Sequence, residues 1–175
     1  MTDLAPDANV LGALALVVAD RTSDAIAAAS GQSETAGAAL SALHHFLDRP
    51  SIDLLRQVLG LTPSGTVRLV DRLVAAGYVT RGPGGDGRSR TVVLTAEGRQ
   101  AAERVAQARA DVLGGALGEL SPGERATLQA LVARILATFV RGPGATRWIC
   151  RLCDTGACGR TQGLCPAANA AAARR

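Results

Sequence analysis

The stretch of residues 61–99 constrains the fold of this chain more than any other part. It opens with Thr62-Pro63, a hydroxyl N-cap followed by proline at the first helical position, and the amphipathic pattern after it ends at a glycine. Two β-prone runs follow, at 78–81 and 91–94, and the segment between them is dense in glycine and other turn residues. The order of helix, turn, strand, arginine-bearing hairpin and strand predicts a helix that enters a DNA major groove and a wing beside it.

The rest of the chain is predicted to be almost entirely helical. Apolar residues recur at helical spacing, and Ser51, Thr95 and Ser121 stand where N-caps are expected, the last with Glu124 in a capping-box arrangement. Helices are predicted over 10–29, 34–47, 52–59, 63–76, 96–117 and 122–140. With only 2% aromatic residues, the core must be built from Ala, Leu and Val. We therefore expect a mainly α fold with a small β-wing.

The charge is distributed unevenly along the chain. All 19 basic residues are arginines. Residues 1–67 carry three of them against seven acidic residues, residues 68–99 carry six against three, and the tail from Arg141 carries six against one. The excess of positive charge lies on the predicted wing unit and on the tail, where a polyanion such as DNA can bind.

Neither a membrane span nor an export signal is expected. No apolar segment reaches the roughly 18 residues that a membrane span needs. The short apolar run at 10–18 follows an acidic rather than a basic leader, unlike a secretory signal. We expect a cytoplasmic protein with no membrane partner.

The helix predicted at 63–76 has two faces. Val67, Val70, Leu73 and Val74 form the apolar stripe that is expected to face the core. The residues expected to approach DNA lie on the other face and are Ser64, Gly65, Thr66, Arg68 and Arg72. Arg68 is long enough to offer its two-pronged donor group to a guanine edge.

The wing carries the remaining candidate DNA contacts. Arg88 stands at the hairpin tip, where it can enter the negatively charged minor groove, and Asp86 is expected to hold the hairpin or the arginine by pairing. Arg81 and Arg90 flank the tip on the two strands and are expected to face phosphates.

These residues together match a known pattern. The run L-T-P-S-x-T-x-R-L-V-D-R-L, then G-Y-V-x-R, D-x-R and V-x-L-T-x-E-G-R, resembles the multiple-antibiotic-resistance regulator (MarR) family of winged helix-turn-helix proteins, over about residues 8–140. The resemblance implies a homodimer that binds double-stranded DNA at a pseudo-palindromic operator, with a cleft for a small-molecule effector. It also implies DNA-facing roles for Ser64, Thr66, Arg68, Asp86 and Arg88. Gly65 departs from the small polar residue usual in the family.

The resemblance and the composition together divide the chain into four parts. Residues 1–33 are expected to form an N-terminal dimerisation helix and residues 34–99 the winged helix-turn-helix domain. Residues 100–140 are expected to form C-terminal dimerisation helices, and residues 141–175 a Cys-rich module with a flexible tail.

All four cysteines lie in that last part. Cys150, Cys153, Cys158 and Cys165 have the spacing C-x2-C-x4-C-x6-C, and the first 149 residues contain none. Thiols crowded in this way, in a chain expected to be cytoplasmic, favour metal binding over disulfides. Zinc is the first expectation, because it accepts four thiolates in a closed tetrahedral site. An iron–sulfur cluster is the alternative metal centre. A redox disulfide pair and inert thiols stay open as non-metal interpretations.

The sequence offers no catalytic constellation. His44 and His45 are adjacent on a predicted helix and so point to different faces, and no serine lies in a nucleophile-elbow motif. We do not expect an enzyme. The first hypothesis is a DNA-binding transcriptional regulator, a repressor, tuned by the metal or redox state of the Cys module. The alternative is a protein-interaction adaptor with a structural metal site and no operator binding.

Overall fold

The computed structural model describes residues 4–84, 90–142 and 144–174. Their elements in chain order are α1 Pro6–Ser30, α2 Glu34–His45, α3 Ile52–Leu59, α4 Pro63–Ala75, β1 Val79–Pro83, β2 Arg90–Leu94, α5 Ala96–Ala116, α6 Pro122–Thr138, α7 Ala145–Ile149, a 3-10 turn Arg160–Gln162 and α8 Pro166–Ala172. The strands β1 and β2 pair antiparallel, with Val79 opposite Leu94. The predicted mainly α fold with a small β-wing is confirmed.

The helices begin where their caps predicted. The side chains of Ser51, Thr62 and Thr95 each accept a backbone N–H three residues further on, which satisfies one free donor at the helix start. Ser121 and Glu124 form the reciprocal capping box at the start of α6. These caps set the residues at which α3, α4, α5 and α6 begin.

The main core lies between α2, α3, α4, α5 and the wing. It is built from aliphatic side chains with almost no exposure, among them Leu40, Leu55, Leu69, Leu73, Val79, Val92 and Ala101. The backbone N–H of Val92 donates to the carbonyl oxygen of Pro50 at 2.9 Å, which ties the wing to the start of α3. The wing and α4 are therefore held by one common core.

A close backbone approach joins α5 to the base of the wing. A Cβ added at Gly98 would lie 1.9 Å from the carbonyl oxygen of Tyr78, so only glycine fits there. The hydroxyl of Tyr78 in turn donates to the carbonyl oxygen of Ser30 at 3.2 Å. The wing base is thus connected to both α1 and α5.

Two helices present apolar faces to the outside. The α1 side chains Leu11, Leu14 and Val17 are 45–57% exposed. α6 buries none of its residues, and Leu131, Val132, Ile135 and Phe139 are 40–66% exposed. These faces lie on the helices predicted to form a dimer interface.

The last part of the chain, predicted to end in a flexible tail, contains a further helix. Residues 166–172 form α8, which packs on α6, and Ala167 and Ala171 join Val140 and Cys165 in a second hydrophobic cluster. Small alanine side chains allow this close approach, and the side-chain amide of Asn169 donates to the carbonyl oxygen of Gly163 at 2.7 Å.

Throughout the described part of the chain, every helix is too short or too polar to cross a bilayer.

Candidate nucleic-acid interface and thiol cluster

The outer face of α4 carries three of its predicted DNA contacts. Ser64, Arg68 and Arg72 are exposed, and the Nε of Arg68 lies 3.4 Å from the carbonyl oxygen of Ser64, so the side chain folds back along the helix. Gly65 is half-buried, and a Cβ there would lie 3.0 Å from Oγ1 of Thr62. The first turn of α4 therefore offers its backbone at position 65 rather than a side chain.

Thr66 does not face solvent as predicted. It is completely buried, and its hydroxyl donates to the carbonyl oxygen of Thr62 at 2.9 Å. That bond satisfies the polar atom inside the core, so a threonine takes the place of an apolar residue there. Leu69 and Leu73 follow on the same buried face, three and seven residues further along.

The apolar stripe of α4 is consequently shifted from its predicted position. Val67 and Val74 were expected in the core, yet they are 44% and 37% exposed. Val67 stands next to Arg68 on the outer face, where an aliphatic group can contact a thymine methyl. Sequence reasoning missed this residue because Leu69 was left out of the stripe. Counting it would have rotated the helix correctly.

Arg81 on the wing is held by the helix. Its guanidinium forms an ion pair and a short hydrogen bond with the carboxylate of Asp71 on α4. Arg90, on the facing strand, is exposed. The predicted wing-tip residues Asp86 and Arg88 lie outside the described residues. Arg81 therefore links the wing to α4, in addition to any contact it makes with a phosphate.

The four cysteines line a single cavity. It has a volume of about 620 Å³ and is also lined by Leu136, at the end of α6, and by Ile149. Cys150 and Cys165 are buried, whereas Cys153 and Cys158 are half-buried. The structure thus brings together all four predicted metal ligands.

The thiols form two neighbouring pairs, Cys150 with Cys153 and Cys158 with Cys165. A hydrogen bond from Cys150 lowers the pKa of Cys153 to about 6, and the arginines 109, 151 and 160 support the thiolate. The same bond raises the pKa of Cys150. Burial raises the pKa of Cys158, which contacts Cys165. One thiolate at neutral pH is a ready first ligand or nucleophile.

The chemistry of this donor set fits a soft metal. Four thiols on one cavity can supply all the ligands of a zinc ion or of an iron–sulfur cluster. Within the described residues, no three His, Cys, Asp or Glu side chains already surround one point as metal ligands do. Metal binding would therefore require the thiols to move closer together.

The comparisons with known proteins identify the winged helix. The sequence model of the MarR family matches residues 31–89, from the turn before α2 to the wing. Over this segment the chain matches the MarR family. The family prediction is confirmed, and the matched segment ends before the first cysteine. No curated protein matches the chain in sequence.

Solved structures of MarR-type proteins share the fold. MepR, a transcription regulator of the Staphylococcus aureus multidrug efflux pump MepA, is 15% identical, with 77% of this chain and 98% of that chain covered and a TM-score of 0.67. Apo MarR from E. coli is 24% identical, with 77% of this chain and 99% of that chain covered and a TM-score of 0.60. A probable transcriptional regulator from Pseudomonas aeruginosa is 28% identical, with 71% of this chain and 95% of that chain covered and a TM-score of 0.55.

The family defines the general function. MarR proteins are transcription regulators that bind DNA as dimers, and this chain is a transcriptional regulator of that class rather than an enzyme.

Proposed function

We propose that this MarR-family protein is a repressor that binds a pseudo-palindromic DNA operator as a homodimer. The observation that carries the proposal is the outer face of α4. It exposes Ser64, Val67, Arg68 and Arg72 beside an arginine-bearing wing, and both are supported by the same core. Hydroxyl, aliphatic and guanidinium groups on one helix face can contact phosphates, thymine methyls and guanine edges. A repressor acts by occupying such a site.

The dimer part of the proposal rests on the exposed faces of α1 and α6. α6 lies outside the main core and has no buried residue, although Leu131, Ile135 and Phe139 are large and apolar. Apolar residues concentrated in this way on two helices of one chain are typical of a surface that a second copy covers.

The metal part of the proposal rests on the thiol-lined cavity. Cys150, Cys153, Cys158 and Cys165 would hold zinc, with an iron–sulfur cluster as the alternative, and the metal or redox state would tune the regulator. Bound metal would supply a cross-link between the chain segments that carry the thiols.

A small-molecule effector has a candidate site of its own. A groove of about 560 Å³ lies between the end of α1 and α4 and is lined by Ala27, Gly31, Gln32, Ser33 and Arg72. A ligand there would contact an arginine of the proposed DNA face. Ligand binding would therefore directly change the contact between this arginine and the operator.

Operator binding is tested with a duplex selected by the protein from a random-sequence library. Arg68→Ala should weaken binding about tenfold or more, because a bidentate arginine–guanine contact contributes about 1–3 kcal/mol. Arg125→Ala, which removes an exposed arginine from α6, is the matched control and should leave affinity unchanged. Fluorescence anisotropy measures both. If no duplex is selected, the adaptor hypothesis replaces the repressor.

The dimer is tested by sedimentation without DNA. The wild-type protein should sediment as a dimer at micromolar concentration, and Ile135→Asp should shift it toward monomer because a charge would enter the apolar face. The selected duplex should contain two half-sites whose centres are about 34–36 Å apart. A stable wild-type monomer contradicts the proposal.

A further inference from the structure

The Cys module contacts the DNA-binding domain at the turn between α3 and α4. The ring of Trp148 lies so close to Gly60 that an added Cβ would be 3.2 Å from its Cδ1 atom. Gly60 ends α3 in the left-handed conformation, with φ of 66°, and α4 begins three residues later at Pro63. The only tryptophan of the chain therefore packs on the turn that positions α4.

Further contacts surround this one. Nη1 of Arg147 donates to Oε1 of Gln57 on α3 at 3.2 Å, and the hydroxyl of Thr155 donates to the carbonyl oxygen of His45, at the end of α2, at 3.1 Å. Leu152 packs against the main core. The guanidinium of Arg151 lies 4.3 Å from the centre of the Trp148 ring and covers it. The module is thus attached to α2 and α3, the two helices directly before α4.

The thiols lie immediately behind this contact surface. Cys150 is two residues after Trp148, and Cys153 directly follows Leu152. On the other side of the module, Cys165 and Ala171 pack with Val140, just beyond α6. One short segment therefore contacts the turn before α4 and the end of the proposed dimerisation helix.

We propose that metal held by the four thiols controls DNA affinity by keeping α7 and Trp148 docked on α3 and Gly60. The proposal rests on the function proposed above. With metal bound, the turn before α4 is ordered before DNA arrives, so binding loses less conformational entropy. Without metal, the segment between the thiols has few apolar side chains to hold it, and the turn loses its covering ring. The metal-loaded protein should bind DNA more tightly.

The experiment compares metal-loaded and metal-free protein on the selected duplex. For the wild type, removal of metal should weaken binding about tenfold, within the usual range of coupling between two sites. Trp148→Ala should keep its metal, measured by elemental analysis, but lose most of that difference because the docking contact is gone. Thr161→Ala, an exposed position on the outer side of the module, is the control and should keep the full difference.

A second variant tests the same contact from the other side. Gln57→Ala leaves every residue of the module unchanged and removes the partner of Arg147, so it should reduce the metal-dependent difference in part. Equal affinities of loaded and metal-free wild type overturn the coupling, while metal content and operator binding still stand. A full difference in both Trp148→Ala and Gln57→Ala overturns it as well. A wild type that carries no metal or selects no duplex overturns the proposed function, and this inference with it.

Discussion

The main core and the second hydrophobic cluster are built from different materials. Leu55, Leu69 and Leu73 are completely buried in the main core, where large aliphatic side chains from four helices and the wing meet. The buried residues of the second cluster are Val140, Cys165, Ala167 and Ala171, and the larger Leu136 and Ile149 are only partly buried beside them. A cavity of about 620 Å³ adjoins this cluster. Burial of apolar area can stabilise the first region without help, whereas the second buries mostly small side chains beside a partly open cavity. This difference suggests that the second region depends on a cross-link through its thiols.

Metal removal should separate the two regions most strongly. Structural zinc in small thiolate sites contributes on the order of 10 kcal/mol of folding free energy, so a chelator should unfold residues 148–166. The helical domain should keep its far-UV signal, because its core does not contain the thiols. Trp148 emission should shift to longer wavelength as its ring leaves Gly60. Unchanged emission after verified metal loss would show that burial alone holds the module.

A cavity in the main core should have the next largest effect. Leu73→Ala removes a fully buried side chain and should lower the free energy of unfolding by about 2–5 kcal/mol. Leu164→Ala makes the same change at a side chain that is 72% exposed and should alter stability very little. Denaturant titration followed by circular dichroism measures both. A similar loss of unfolding free energy in the two variants would show that Leu73 is no more tightly packed than the exposed Leu164.

Shortening a side chain in the second cluster should lower the free energy of unfolding by less, and its effect should stay local. Val140→Ala removes two methyl groups from a fully buried site, a change of about 2 kcal/mol from transfer and cavity formation together. Hydrogen exchange should become faster in α8 and at the end of α6 but stay slow in α3 and α4. Faster exchange spread equally over both regions would mean that they unfold as one unit.

The smallest expected effect concerns the buried hydroxyl of α4. Thr66→Val should cost at most about 1 kcal/mol, because the carbonyl oxygen of Thr62 still accepts the backbone N–H of residue 66. DNA affinity should stay unchanged, since this side chain does not reach the surface. Arg68→Ala should show the opposite result, with stability kept and affinity lost. Weaker DNA binding by a fully folded Thr66→Val variant would show that the Thr66 side chain contacts DNA.

Local chemistry made much of the fold predictable. Helix starts at Thr62, Thr95 and Ser121 follow from hydroxyl caps, and the wing follows from two β-prone runs around a glycine-rich turn. These signals act within a few residues and need no tertiary information. The helix at 166–172 was not predicted, because its packing involves Val140 on another segment.

The site was predictable in composition but not in arrangement. Arginines and hydroxyls on α4 were found from spacing, yet Thr66 was placed outside because a polar residue was assumed to need solvent. Its bond to Thr62 removes that need. The contact of Trp148 with Gly60 joins positions 88 residues apart and follows from no local pattern. The four thiols were grouped correctly because they are close in sequence.

The ion pair between Arg81 and Asp71 would limit how strongly the proposed DNA-binding surface holds DNA of any sequence. Each arginine that neutralises a phosphate releases counterions and steepens the salt dependence of binding by about 0.9 in the log–log slope. A guanidinium already paired with a carboxylate adds no net charge to that process. In the proposed dimer, the pair would therefore withhold two arginines from the sequence-independent part of binding. Less of the proposed repressor would then be retained on non-specific sites, and more of it would be free to find its operator.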